Sequence, residues 1–182
     1  MKFMLYITLL SSLLSCKKIK NEFNIDEDKL EEIGQSIMNN STIDLLIRKK
    51  SFLGITINDS INKHELLLTK NSSSINIDNY TLSTVQYDSL AQIITSPDNK
   101  FIISDIIVTS SEAFTELGLK VGSTFKDIKD NIRYYEIKQT DNGTTYVQDS
   151  IFKYMLNYNK KTANSSISDT IKIKQIIINN KK

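Results

Sequence analysis

The chain of 182 residues sets 23 Lys and Arg against 21 Asp and Glu, a formal charge of +2, which leaves no electrostatic footprint for a nucleic-acid partner. One Cys and one His exclude a disulfide framework and any site built on paired thiolates or paired imidazoles. Trp, a usual component of the sugar-binding platforms of glycosidases, is absent, but paired carboxylates for glycoside chemistry are not excluded by sequence.

The amino terminus reads as an export signal. Met1 and Lys2 carry the positive charge, and residues 3–14 (FMLYITLLSSLL) form an apolar run that stops at Cys16 and the cationic stretch Lys17-Lys18-Ile19-Lys20. A spanning helix needs about 20 apolar residues, so this segment is too short to stay in a bilayer. Leu13-Leu14-Ser15-Cys16 resembles the bacterial lipobox, which implies cleavage after Ser15 and a lipid on Cys16. Residues 1–15 are then a lipoprotein signal peptide, 16–25 a lipidated tether, and 26–182 a single globular domain. With Cys16 acylated no thiol remains for metal ligation or catalysis.

Asp26-Glu27-Asp28 charges a helix start, and Leu30, Ile33 and Ile37 follow at helical spacing, which predicts a helix over 26–38. Leu45, Leu46 and Ile47 predict a second, shorter helix over 42–49. Beyond it the texture is β, with strands expected over 52–57, 80–87, 90–95, 100–109, 133–140, 144–148, 151–158 and 170–178. Residues 71–74 (NSSS) and 162–168 read as loops. Asp141-Asn142-Gly143 predicts a hairpin, with Asn-Gly favouring a type I′ turn. The fold class is therefore α+β, with amino-terminal helices followed by a mainly antiparallel sheet.

A weak internal repeat runs through this pattern. Residues 53–61 (LGITINDSI) lie over 117–125 (LGLKVGSTF), with Lys63-His64-Glu65-Leu66 facing Lys126-Asp127-Ile128 at a two-residue offset, so that 52–66 and 116–128 both read as strand, turn and helix start. Asp59 or Ser60 and Ser123 are the N-cap types. Two coincidental turns explain the likeness equally well. Gly118-Leu119-Lys120-Val121-Gly122-Ser123-Thr124-Phe125-Lys126-Asp127-Ile128 resembles the G-x-x-VG-S-T-x-x-D-I motif of small uncharacterised bacterial lipoproteins, and a shorter form of the motif occurs in small lipoproteins of outer-membrane assembly. The motif is architectural there and implies no active site. The Ile-, Asn-, Lys- and Ser-rich composition resembles that of lipoproteins from AT-rich Bacteroidota. In that phylum Asp-Ser/Thr-aliphatic triplets, here at Ser60, Ser89, Ser150 and Thr170, resemble O-glycosylation acceptors.

Chemistry-bearing constellations are sparse. His64 sits among charged residues and is expected on an exposed helix face, no G-x-S-x-G or phosphate-binding loop occurs, and the acids at 26–32 lack the ligand spacing of a calcium loop. No catalytic residue, metal ligand or cofactor is assigned. Tyr134, Tyr135, Tyr146, Tyr154 and Tyr158 mark either cross-strand packing or an exposed aromatic face for a partner. The expectation is a non-catalytic lipoprotein, membrane-attached through Cys16, that binds a protein or envelope component. An envelope hydrolase without a motif, and an immunity-type lipoprotein against a periplasmic toxin, are the alternatives. Lys17 beside the lipidated Cys predicts the outer membrane, periplasmic face, with the cell surface as the alternative.

Overall fold

The computed structural model describes residues 43–74, 76–84, 86–159 and 166–179. In chain order they form β1 (Leu46–Ile47), β2 (Ser51–Phe52), β3 (Ile55–Thr56), a 3-10 helix (Ile61–Leu67), β4 (Leu68–Ser73), β5 (Asp78–Leu82), β6 (Ala91–Thr95) and β7 (Ile103–Val108). There follow β8 (Phe114–Thr115), helix α1 (Phe125–Asn131), β9 (Glu136–Gln139), β10 (Thr144–Gln148), β11 (Lys153–Asn159) and β12 (Ile173–Asn179). Eight strands make one antiparallel sheet in the order β4-β5-β6-β7-β12-β11-β10-β9. The class is α+β with a mainly antiparallel sheet.

Period-two alternation turns one row of each central strand inward: Ala91, Ile93 and Thr95 on β6, Tyr154 and Leu156 on β11, Thr145 and Val147 on β10. Leu45, Ile47, Phe52, Ile55, Ile57 and Ile61 ahead of β4, and Leu119, Phe125, Ile128 and Ile132 ahead of β9, are buried too and supply the second layer. Each such side chain contributes about 1.5–3 kcal/mol. Strict alternation would put Ile103 and Ile106 on opposite faces. Instead Ile94 pairs with Asp105 and Thr95 with Ile103, so Ser104 bulges out and both isoleucines stay buried. On β12 Met155 pairs with Gln175 and Leu156 with Ile173, Lys174 bulges, and Ile173 and Ile176 are both buried.

These matched bulges belong to a repeat carried in the backbone. Asn58 N–H donates to the Ile103 carbonyl (2.9 Å), Ile103 N–H to that of Asp59 (2.9 Å) and Ile61 N–H to that of Phe101 (2.8 Å). In the second half Gly122 N–H donates to Ile173 (2.9 Å), Ile173 N–H to Ser123 (2.7 Å) and Phe125 N–H to Ile171 (2.7 Å). Residues 53–61 therefore match 117–125 one for one. Gly54 and Gly118 have φ of 76° and 72°, and Asn58 and Gly122 have 73° and 95°. β7 meets β12 with Ile107 opposite Ile177, flanked by Val108 opposite Ile176 and Ile106 opposite Ile178. The sheet is thus two four-stranded meanders, each preceded by an elbow and a short helix, related by a local two-fold at the Ile107–Ile177 pair.

Several sequence expectations are corrected. The helix over 26–38 lies outside the described residues. Over 43–49 the chain forms β1 rather than a helix, because Leu46 and Ile47 pair in parallel with Phe114 and Thr115 of β8; tertiary pairing overrides local periodicity. The expected strand 52–57 is a hairpin, β2 and β3, whose Leu53-Gly54 turn has both φ positive, at 51° and 76°. That is where a type I′ geometry occurs. At Asp141-Asn142-Gly143 the hairpin forms, but only Gly143 is left-handed (φ 83°): Thr140 N–H donates to Thr144 and Gly143 N–H to Thr140, both at 2.9 Å, closing a three-residue loop instead of a two-residue one. Residues 71–73 belong to β4 and not to a loop. The strand expected over 80–87 ends at Leu82, where Thr84 and Tyr87 close a turn on each other. The α1 N-cap is Thr124, not Ser123: its hydroxyl accepts from Asp127 N–H (3.2 Å) while its own N–H donates to the Asp127 carboxylate (2.6 Å), a capping box. The two-residue offset vanishes, setting Ile61 against Phe125 and His64 against Ile128.

Candidate binding groove

The two halves differ in how the helix joins the meander. In the first, the 3-10 helix ends at Leu67 and β4 begins at Leu68; in the second, residues 132–135 intervene between α1 and β9. Ile132 is buried and closes α1 by donating to the Ile128 carbonyl (2.8 Å). Arg133 then stacks on Tyr134, 5.1 Å from the ring centroid, and Tyr134 is 74% exposed. Tyr135 packs edge-on against Phe125, with centroids 6.3 Å apart.

Opposite this connector, residues 149–152 turn β10 into β11. Asp149 N–H donates to the Phe152 carbonyl (3.1 Å), and one carboxylate oxygen of Asp149 accepts from the N–H groups of Ile151 and Phe152, each at 2.6 Å. The other accepts the hydroxyl of buried Tyr154 (3.2 Å). Burial first, and then the Asp149 charge beside it, push the Tyr154 phenol above its ordinary range, so it stays a neutral donor.

Connector, turn and the Lys49-Lys50 corner bound a groove of about 1210 Å³ across the end of the sheet. Five cations line it, Lys49, Lys50, Arg133, Lys138 and Lys153, against two acids, Glu136 and Asp149. Lys138 is paired with Glu136 at 2.6 Å, and both Asp149 oxygens are taken up internally. The groove is therefore left basic. Leu117, 49% exposed, and Tyr134 supply its accessible apolar surface.

Cys16 and the acids at 26–32 lie outside the described residues. The tyrosines of the sequence cluster divide: Tyr154 is core, Tyr135, Tyr146 and Tyr158 are half-buried, and Tyr134 is exposed. His64 is not exposed as expected; its side chain is 14% accessible and its Nε2 lies 3.3 Å from Asp59. At Asp59, burial raises the carboxyl pKa, but His64 and Lys63 outweigh it and the net shift is downward. Of the four triplet hydroxyls, Ser89, Ser150 and Thr170 are exposed and Ser60 is half-buried at the start of the 3-10 helix. Among the described residues no group of three or more His, Cys, Asp or Glu side chains is placed to hold a metal, and no helix is long and apolar enough to cross a membrane. Sequence reading missed Lys49, Lys50 and Arg133. The available signal was the extra chain at 132–135, visible only once the repeat is aligned without an offset.

No family model matches the chain, and no curated protein does. Among solved structures it is similar to that of the uncharacterized protein yfeY from Escherichia coli, at 15% identity and a TM-score of 0.51, over 69% of this chain and 93% of that one. At that identity the likeness shows a shared fold and nothing of activity.

Proposed function

We propose that this chain is a non-catalytic lipoprotein of the cell envelope, held through a lipid on Cys16 at the periplasmic face of the outer membrane, that works by binding a protein or envelope component in the groove. The observation that carries the binding reading is the connector 132–135. It interrupts an otherwise repeated architecture to set an exposed Arg-Tyr stack beside an open cavity, and Arg and Tyr are the residue types that dominate binding energetics. The anchor reading rests on Leu13-Leu14-Ser15-Cys16.

A photo-crosslinking residue at position 134 tests the binding reading in intact cells. The expected result is a discrete adduct on irradiation, absent when the same residue is placed at exposed Lys174; no adduct at position 134 sinks it. For the anchor, Cys16→Ser is expected to abolish labelling by palmitate and to leave the precursor uncleaved. Continued labelling refutes lipidation at Cys16. Protease added to intact cells is expected to spare the domain, and its digestion there would move the assignment to the cell surface.

A further inference from the structure

We infer that the groove's ligand is an extended acidic peptide segment of a partner protein, bearing aromatic or aliphatic side chains between its carboxylates. The inference rests on the binding reading above and names its ligand class.

Three observations support it. The first is charge. With Glu136 satisfied by Lys138 and Asp149 by its own turn and Tyr154, the side chains of Lys49, Lys50, Arg133 and Lys153 face the cavity without a carboxylate partner among the described residues. Lys153 and Arg133 lie instead over the rings of Tyr146 and Tyr134, at 5.8 and 5.1 Å. Anionic groups entering such a groove gain charge-assisted contacts without displacing an existing ion pair.

The second is shape. A volume of about 1210 Å³ exceeds the roughly 300–1,000 Å³ of small-molecule pockets, which leaves room for a chain of several units. A concave groove also presents its cations poorly to a flat bilayer surface.

The third is apolar surface. Within the groove Leu117 and Tyr134 are 49% and 74% exposed. Glu136 and Lys138 of its lining belong to β9, the end strand of the sheet, all four of whose residues are exposed. The Leu117 side chain suits apolar side chains of a peptide better than the hydroxyl-covered rings of a sugar chain, and an end strand offers main-chain groups alongside which an extended peptide can lie.

Selection of a random dodecapeptide library on the detergent-solubilised full chain tests this. The enriched peptides are expected to carry Asp or Glu interleaved with Tyr, Phe or Leu, and to bind the Lys49→Glu, Lys50→Glu, Arg133→Glu variant at least tenfold more weakly. The Lys172→Glu, Lys174→Glu variant, altered at exposed positions outside the groove, should bind them as the parent does. An enriched set without acidic residues overturns the inference, as does equal weakening in both variants. Full displacement of the peptides by oligogalacturonate assigns the groove to anionic sugars, and displacement by phosphatidylglycerol vesicles assigns it to lipid; either result also overturns it. A cross-linked adduct at position 134 with no acidic enrichment would leave the binding reading standing and remove only the peptide class.

Discussion

Replacing Gly122 by Ala isolates the backbone cost of the second elbow. Gly122 has φ of 95°, where an L side chain is strained, and a Cβ built there meets no atom within 4 Å. No clash contributes, so the penalty is conformational. Left-handed backbone costs an L-residue roughly 1–2 kcal/mol. At about 2–4 °C per kcal/mol for a domain of this size, the melting temperature should fall by about 2–8 °C. Gly122→Asn should lose less, because Asn tolerates this region and its counterpart Asn58 already holds φ of 73°. Urea denaturation of the three proteins, followed by circular dichroism, measures the series. Equal stability of the parent and Gly122→Ala would refute the reasoning, since the elbow would then have to flip to negative φ while keeping the Gly122 N–H bond to Ile173. A loss well above 3 kcal/mol would refute it in the other direction by revealing a packing cost.

Thr124→Ala removes the α1 cap and should cost about 1 kcal/mol, read by the same titration. The backbone N–H and then the hydroxyl of Thr124 hold the Asp127 carboxyl below its ordinary value. A depressed folded pKa means that stability from this pair is present above the unfolded carboxylate range and lost as pH falls through the folded value. The stability difference between the parent and Asp127→Asn should therefore shrink on acidification from about pH 5 to about pH 2, and a pH-independent difference would contradict the capping box. Tyr154→Phe should cost about 0.5–1.5 kcal/mol, since Asp149 keeps two amide donors. Tyr154→Ala should cost about 3–5 kcal/mol through the cavity it opens, and near-equal losses in the two variants would mean that the hydroxyl, not the ring, anchors the turn.

Strands were legible where side chains face a core. Thr144–Gln148 and Ala91–Thr95 alternate cleanly, and both form the strands expected of them. β4 was not legible. Its residues Leu68–Ser73 are polar and mostly exposed at the sheet's end, and its partners on β5 hold it where its own composition does not. Leu45, Leu46 and Ile47 suit a helix or a strand equally, and only pairing with a segment nearly seventy residues away decides between them. The Asn142-Gly143 hairpin was legible as a turn but not as a turn type, because loop length depends on which residues pair, Thr140 with Thr144. The groove was illegible for a related reason. Its cations are ordinary surface lysines and an arginine in sequence, and they become a constellation only through the connector and the corner that the repeat brings to one end of the sheet.

Outside the connector 132–135 and the loops, the local two-fold gives positions in one half a twin in the other, so the molecule contains its own internal control. Where twins share a backbone but not a side chain, the fold has set the geometry and left the chemistry open: Asp59, paired with His64, stands where the second copy has Ser123, and His64 stands where it has Ile128. A substitution can be made twice, once in each copy, and what is common to the two outcomes belongs to the scaffold. What differs belongs to the use made of it. By that subtraction, grafting residues 132–135 between Leu67 and Leu68 separates the two contributions physically: a first half that then acquires the ligand preference of the second would show that four residues carry it, with the repeated meander serving as an interchangeable platform.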